Sequence, residues 1–167
     1  MTVLNLIIAT FLSFFEATLV QVTALILFQP TILGMAGNIG TQSLAVTILG
    51  LHLEEIDSKK KARKHIFKEM TVSFINSLFL AAAAFAFVTL FLTLVPTGQQ
   101  GAIPIALVVF IAVFSSMFIA GSMGVMVPLI FNHYHINPAA ASGPIMTTIN
   151  DLVTLIIYFG VATLAFL

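Results

Sequence analysis

One carboxylate, Asp151, stands in an apolar stretch near the end of this sequence, about two helical turns after Pro144. Three hydroxyl and amide side chains precede it there: Thr147, Thr148 and Asn150. All six Lys and Arg residues lie between residues 59 and 68, so Asp151 has no basic partner in its own surroundings. It therefore needs a cation or a proton, and a neutral carboxyl hydrogen-bonded to a neighbouring hydroxyl or amide is the alternative.

A second group of oxygen ligands lies in GMAGNIGTQS, residues 34–43, where Asn38, Thr41 and Gln42 carry amide and hydroxyl groups. Small residues recur between them: Gly34, Gly37 and Gly40. Pro30 removes one backbone donor just upstream, so we expect a loosened helix whose carbonyls are available to an ion. Small residues at this spacing also allow close helix packing. The side-chain oxygens, which packing does not require, favour an ion path.

Composition defines the elements that must position these groups. Of 167 residues, 60% are hydrophobic and 7% are charged, and the mean hydropathy is +1.15. This predicts an all-α, polytopic membrane protein that forms one domain, residues 1–167. A net charge of zero gives no basis for nucleic-acid binding, and the absence of cysteine excludes disulfides. No catalytic triad or phosphate-binding loop is visible, so we do not expect an enzyme.

The basic segment EEIDSKKKARKHIFKE, residues 54–69, predicts the orientation, because short cytoplasmic loops retain Lys and Arg. Apolar runs of helical length follow it at residues 70–96, 103–131 and 139–167. The predicted topology places the N-terminus, residues 53–69 and residues 132–138 in the cytoplasm, and residues 97–102 and the C-terminus outside.

The first 53 residues are too long for one crossing, because residues 2–53 as a single helix would measure about 78 Å. The segment breaks either at Glu16, giving a short first helix, or at Pro30. Both divisions give five helices, and hydrophobic periodicity does not choose between them.

Four motifs in this order resemble the transmembrane domain of the MgtE family of magnesium transporters: FEATLVQ, the FQPTILGMAGNIGTQS segment, GSMGVMVPLI, and INPAAASGPIMTTINDLV. The resemblance covers nearly the whole chain. It implies a homodimer with five helices per subunit and a magnesium-selective path along the two-fold axis. The path-lining positions of the family correspond here to Asp151, Asn38 and the backbone around Gly34 and Gly37.

The resemblance also implies that the first boundary lies at Glu16, so residues 1–15 would form a first helix that is short or truncated. Glu16 itself is either a weak cation attractor at the outer mouth or an exposed turn residue. Asn137 stands where the family commonly has an acid, which removes a carboxylate from the cytoplasmic mouth. Bacterial members also carry cytoplasmic N and CBS domains, to which nothing here corresponds, so regulation would come from separate domains or subunits.

Magnesium fits these ligands because it prefers oxygen and keeps much of its water, although ligand type alone does not separate it from Mn²⁺ or Ca²⁺. We therefore expect a plasma-membrane transporter or channel that conducts hydrated Mg²⁺. The alternative is a non-transporting assembly subunit in which Asp151 stays protonated. Two further features have simple structural interpretations: Gly121 and Gly124 as a close helix contact, and His133 and His135 as membrane-surface residues.

Overall fold

The structure is a computed structural model that describes residues 10, 13, 15, 22, 24–95, 101–141 and 144–167. Within these residues the chain is helical and contains no strand. The elements, in chain order, are α1 (Ala24–His52), α2 (Lys59–Leu94), α3 (Ala102–His133), a short 3-10 turn (Pro138–Ala141) and α4 (Pro144–Phe166). All four α-helices are long and apolar enough to cross a membrane, α4 from Met146 onward. The predicted polytopic helical class is confirmed, and the predicted first helix, residues 1–15, falls almost entirely outside the described residues.

The helix α1 runs without interruption through Pro30 and the glycine-rich segment. The alternative break at Pro30 is therefore wrong, and so is the expected loosening of the backbone after it. Proline removes a single N–H from the helix, and the hydrogen bonds of the surrounding residues remain in place. In an apolar environment those bonds are strongly favoured, because neither lipid nor core side chains would replace them.

Residues 59–69 of the basic segment form the first three turns of α2. Ser58 begins the helix in an extended conformation, and its hydroxyl accepts a hydrogen bond from the backbone N–H of Lys61 at 3.4 Å. The Lys, Ala and Arg residues that follow are good helix formers. As a result α2 has 36 residues and continues well beyond the apolar part of its sequence.

The helix α3 lies at the centre and packs against α1, α2 and α4. Two glycines make these contacts close, as the sequence predicts. A Cβ on Gly124 would collide with the carbonyl oxygen of Gly40 on α1, and one on Gly121 would collide with the hydroxyl of Ser73 on α2. Backbones separated only by glycine gain extensive van der Waals contact, which is the main source of helix association in a membrane.

The first and last described helices are joined by one buried polar contact. The hydroxyl of Tyr158 on α4 donates a hydrogen bond of 2.7 Å to the carbonyl of Leu25 in the first turn of α1. Both residues are almost completely buried. This bond fixes the height of α4 relative to α1, and therefore the relative height of the two oxygen-rich segments.

Candidate functional site

The side of α1 that carries Gly34, Asn38 and Thr41 is open. These residues recur at four- and three-residue intervals, which places them on one face of a helix. Gly34 and Asn38 are exposed, and Thr41 is partly exposed. A Cβ added at Gly34 or at Gly37 would meet no atom of the described residues within 4 Å. Within the described residues, these two glycines therefore do not serve helix packing.

The hydroxyl of Thr41 has a defined direction. It donates to the carbonyl oxygen of Gly37 at 2.8 Å and also lies 3.1 Å from the carbonyl oxygen of Asn38. Because its hydrogen is directed at the backbone, the oxygen of Thr41 presents lone pairs to the open face and acts there as an acceptor. The Gly37 carbonyl already accepts this bond, in addition to its place in the helix. The accessible oxygens of this segment are therefore those of the Asn38, Thr41 and Gln42 side chains, of which Asn38 and Gln42 are exposed.

The third glycine of the segment, Gly40, faces the opposite way. A Cβ there would collide with the side-chain nitrogen of Asn150 and lie 3.2 Å from the carbonyl oxygen of Ala120. Gly40 is therefore the position where α1, α3 and α4 meet. The glycine-rich segment therefore fits both interpretations given above. Gly34 and Gly37 lie on the open face, as an ion path would require, and Gly40 lies at a close helix contact.

Asn150, which the sequence groups with the cation ligands, is placed in this junction. It is 1% exposed, and neither its amide nitrogen nor its amide oxygen has a hydrogen-bond partner among the described residues. It packs against Gly40 rather than facing the open side of α1. Its role as a ligand remains a prediction, whereas its contact with Gly40 is a feature that sequence reasoning missed.

Asp151 follows Asn150 directly and is partly buried, as is Thr147 one turn earlier. Thr41 likewise follows Gly40 directly. The contact between Gly40 and Asn150 therefore brings the two oxygen-rich segments to the same height in the bundle, with Asp151 and Thr41 each one residue from it. In the sequence these groups are separated by about 110 residues, and only the packing of α4 on α1 relates them.

Two adjoining hollows continue from this level to the end of α1. One, of about 520 Å³, extends from Thr41 to His52, and the other, of about 200 Å³, is lined by His52, Asn132 and Asn137. His52 was not among the predicted site residues, because an isolated histidine beside a charged loop is usually a surface residue. Asn137 also accepts a 3.0 Å hydrogen bond from the backbone N–H of Ala139, which orients the turn before α4.

The remaining predicted site residue, Glu16, lies outside the described residues. Within the part of the chain that the structure describes, no group of three or more His, Asp or Glu side chains is close enough to hold a metal ion. The oxygen-bearing side chains of the candidate site are instead distributed along α1 and α4.

Comparison with known proteins agrees with these observations. Residues 29–161 match the MgtE family, described as divalent cation transporters. A magnesium transporter MgtE of Bacillus subtilis is 40% identical over 96% of this chain, and one of Thermus thermophilus is 31% identical over 96%. One of Enterococcus faecalis is 29% identical over 93%.

The chain spans about a third of the length of these curated relatives, namely 34%, 33% and 32% respectively. The matched region nevertheless includes both oxygen-rich segments and all four described helices except their outermost turns. The relatives are named as transporters, which are not enzymes. From the family match and the described helices, this chain is a multi-pass membrane protein that belongs to the MgtE family of divalent cation transporters.

Proposed function

We propose that this chain forms the conducting part of a magnesium transporter of the plasma membrane. In this proposal two copies associate around a two-fold axis, and the open face of α1 and the Asp151 side of α4 line the path between them. The relatives named as magnesium transporters support the choice of ion. The predicted orientation, with the basic start of α2 in the cytoplasm, belongs to the same proposal.

The observation that carries the proposal is the open polar face of α1. Asn38 is exposed and Thr41 partly exposed on a helix that is apolar enough to cross a membrane, and Gly34 and Gly37 leave space beside them. Lipid chains would not satisfy these oxygens. A second copy of the chain with water and a cation between the copies would satisfy them, and the glycines would leave room for the ion's hydration shell.

Asp151 supplies the charge. Two such carboxylates about 8 Å apart, at an effective dielectric constant of about 20, would repel each other by about 2 kcal/mol. A divalent cation between them reverses the sign of this interaction. Because Mg²⁺ gives up its water reluctantly, we expect the carboxylates to hold it mainly through its bound waters, which permits release as well as binding.

The test is magnesium uptake into liposomes that contain only this purified chain. Asp151→Asn preserves the size and hydrogen-bonding capacity of the side chain but removes its charge, so uptake should fall to the level of empty liposomes. Asp57→Asn makes the same change at an exposed position between α1 and α2, and should leave uptake unchanged.

Normal uptake by Asp151→Asn, with the protein folded and its oligomeric state unchanged, would overturn the proposal. If the wild-type chain itself carried no magnesium, the assembly role with a protonated Asp151 would be the better interpretation. Repeating the assay with Mn²⁺ and Ca²⁺ would establish which divalent cations the path accepts.

A further inference from the structure

The first ten residues of α2 carry every Lys and Arg of the chain, in a regular helical arrangement. Beside them is a surface hollow of about 780 Å³, which has a serine at one end, a phenylalanine at the other and four basic side chains between: Ser58, Lys60, Lys61, Arg63, Lys64 and Phe67. We call this hollow the basic pocket. It lies outside the candidate cation path, and its positive charge would repel a divalent cation.

The basic side chains continue a lipid-facing strip of the same helix. Lys61, Lys64 and Lys68 are three and four residues apart, and Ile75 and Phe79 follow at seven and eleven residues from Lys68. These intervals keep all five on one face of α2. Ile75 is 59% exposed and Phe79 73% exposed, on the side of α2 turned away from α3. Lipids whose acyl chains cover Ile75 and Phe79 would therefore have their headgroups close to the lysines.

The length of α2 sets the depth of these groups. The apolar part, residues 70–94, measures about 37 Å along the helix axis, against about 30 Å for the hydrocarbon core of a bilayer. Lys68 precedes this part by about half a turn, and Lys64 by less than two turns. They therefore lie in the headgroup region of the bilayer, as does Phe67 between them, which is 75% exposed.

One of these charges is already paired. Lys61 donates a 2.9 Å hydrogen bond to the carboxylate of Asp57, one turn earlier. This bond holds the pKa of Asp57 below its ordinary value, so the pair is ionised at neutral pH. Within the described residues, Lys60 and Lys64 have no carboxylate within ion-pairing distance. Their ammonium groups are the ones that a bound anion would neutralise.

We infer that the basic pocket binds the phosphate headgroup of an anionic phospholipid, whose acyl chains lie along Ile75 and Phe79. Basic clusters that border a membrane-crossing helix attract anionic lipids, each cationic side chain contributing a measurable part of the affinity. The continuity between the lysines and the lipid-facing strip favours a membrane lipid over a soluble anion, because the same molecule satisfies both surfaces. This interaction concerns the surface of the protein that faces the lipid, and does not depend on which ion the protein transports.

The experiment titrates the purified chain, in micelles of an uncharged detergent, with phosphatidylglycerol or with phosphatidylcholine, and counts bound lipid by native mass spectrometry. The wild-type chain should retain phosphatidylglycerol in preference to phosphatidylcholine. Lys64→Gln should weaken phosphatidylglycerol binding about five-fold, and Lys60→Gln with Lys64→Gln about 25-fold. Lys64→Arg should bind as the wild type does.

Lys59→Gln is the matched control. It removes the same charge from the first residue of α2, outside the basic pocket, and should bind phosphatidylglycerol as the wild type does. Three results would overturn the inference: equal retention of the two lipids, an equal loss in Lys59→Gln and Lys64→Gln, or displacement of phosphatidylglycerol by inorganic phosphate at the same concentration. Thermal unfolding of each variant in the same micelles confirms that it is folded.

Discussion

At the scale of single residues, two asparagines of the oxygen-rich segments have opposite environments. Asn38 is exposed on the open face of α1, whereas Asn150 is buried against Gly40. Both were predicted from the sequence as cation ligands, because residue type and neighbourhood are the same for each. Consecutive side chains of a helix point in directions about 100° apart. An apolar helix gives little amphipathic signal to show which of these directions faces inward.

The first prediction concerns Asn38. Asn38→Leu replaces an exposed amide by an apolar side chain of similar size, so magnesium uptake should fall at least ten-fold while the thermal unfolding temperature is retained. Asn76→Leu makes the same change on α2, away from the open face of α1, and uptake should be preserved. Normal uptake by Asn38→Leu would mean that this face serves association between copies and not conduction.

At the scale of elements, the helices are held by glycines at two crossings with α3. Gly124 meets Gly40 of α1, and Gly121 meets Ser73 of α2. By contrast, no atom of residues 24–95, 101–141 or 144–167 lies within 4 Å of the position of a Cβ at Gly34, Gly37 or Gly160. Stability and transport should therefore respond to different glycines, although all of them lie within apolar helices.

The second prediction separates the two sets by thermal unfolding in detergent. Gly124→Ala places a methyl group against the backbone of α1, which should destabilise the protein by about 1–3 kcal/mol. Gly160→Ala adds the same methyl group in open space, so its unfolding temperature should be unchanged or raised, since alanine is the better helix former. Equal destabilisation by the two changes would contradict the described crossing.

The third prediction concerns Gly37→Val. Because a Cβ at this position meets no atom in the part of the chain that the structure describes, the variant should unfold at nearly the wild-type temperature. The added side chain would project into the proposed path, so magnesium uptake should be lost. A variant that transports normally would show that the path does not pass Gly37.

The sequence was informative about these elements where the signal was local. Apolar runs predicted the positions of α3 and the later part of α2 to within a few residues, and the Gly121 and Gly124 contact followed from their spacing. The state of the backbone after Pro30 was not predictable in this way. A proline and three glycines weaken an isolated helix, but apolar surroundings favour the intact one, and that balance is set by tertiary packing. The meeting of Gly40 with Asn150 likewise depends on contacts between distant parts of the chain.

At the scale of the whole molecule, the predicted topology can be tested at three exposed positions close to helix ends. Glu55 lies in the exposed connection between α1 and α2, Gly101 precedes α3, and Ile136 follows α3. Both α2 and α3 are long and apolar enough to cross the membrane. If each crosses once, Glu55 and Ile136 should lie on one side of the membrane and Gly101 on the other.

The fourth prediction uses the absence of cysteine, which makes the natural chain a background for single substitutions. An impermeant thiol reagent applied to intact cells should label Gly101→Cys, and should label Glu55→Cys and Ile136→Cys only after the membrane is permeabilised. Labelling of Glu55→Cys in intact cells would reverse the orientation. Labelling of Glu55→Cys and Gly101→Cys from one side would reject the crossing by α2.

The contact between Gly40 and Gly124 also restricts how the bundle moves. If α1 slid along α3 by one turn, Ala36 or Leu44 would take the place of Gly40, and its side chain would collide with the side chain of Asn150 and press on the carbonyl oxygen of Ala120. Rotation about the contact keeps Gly40 at this position. A rigid α1 would then pivot at Gly40, so that its Ala24 and His52 ends move in opposite directions. Widening of the passage on one side of the membrane would accompany its narrowing on the other.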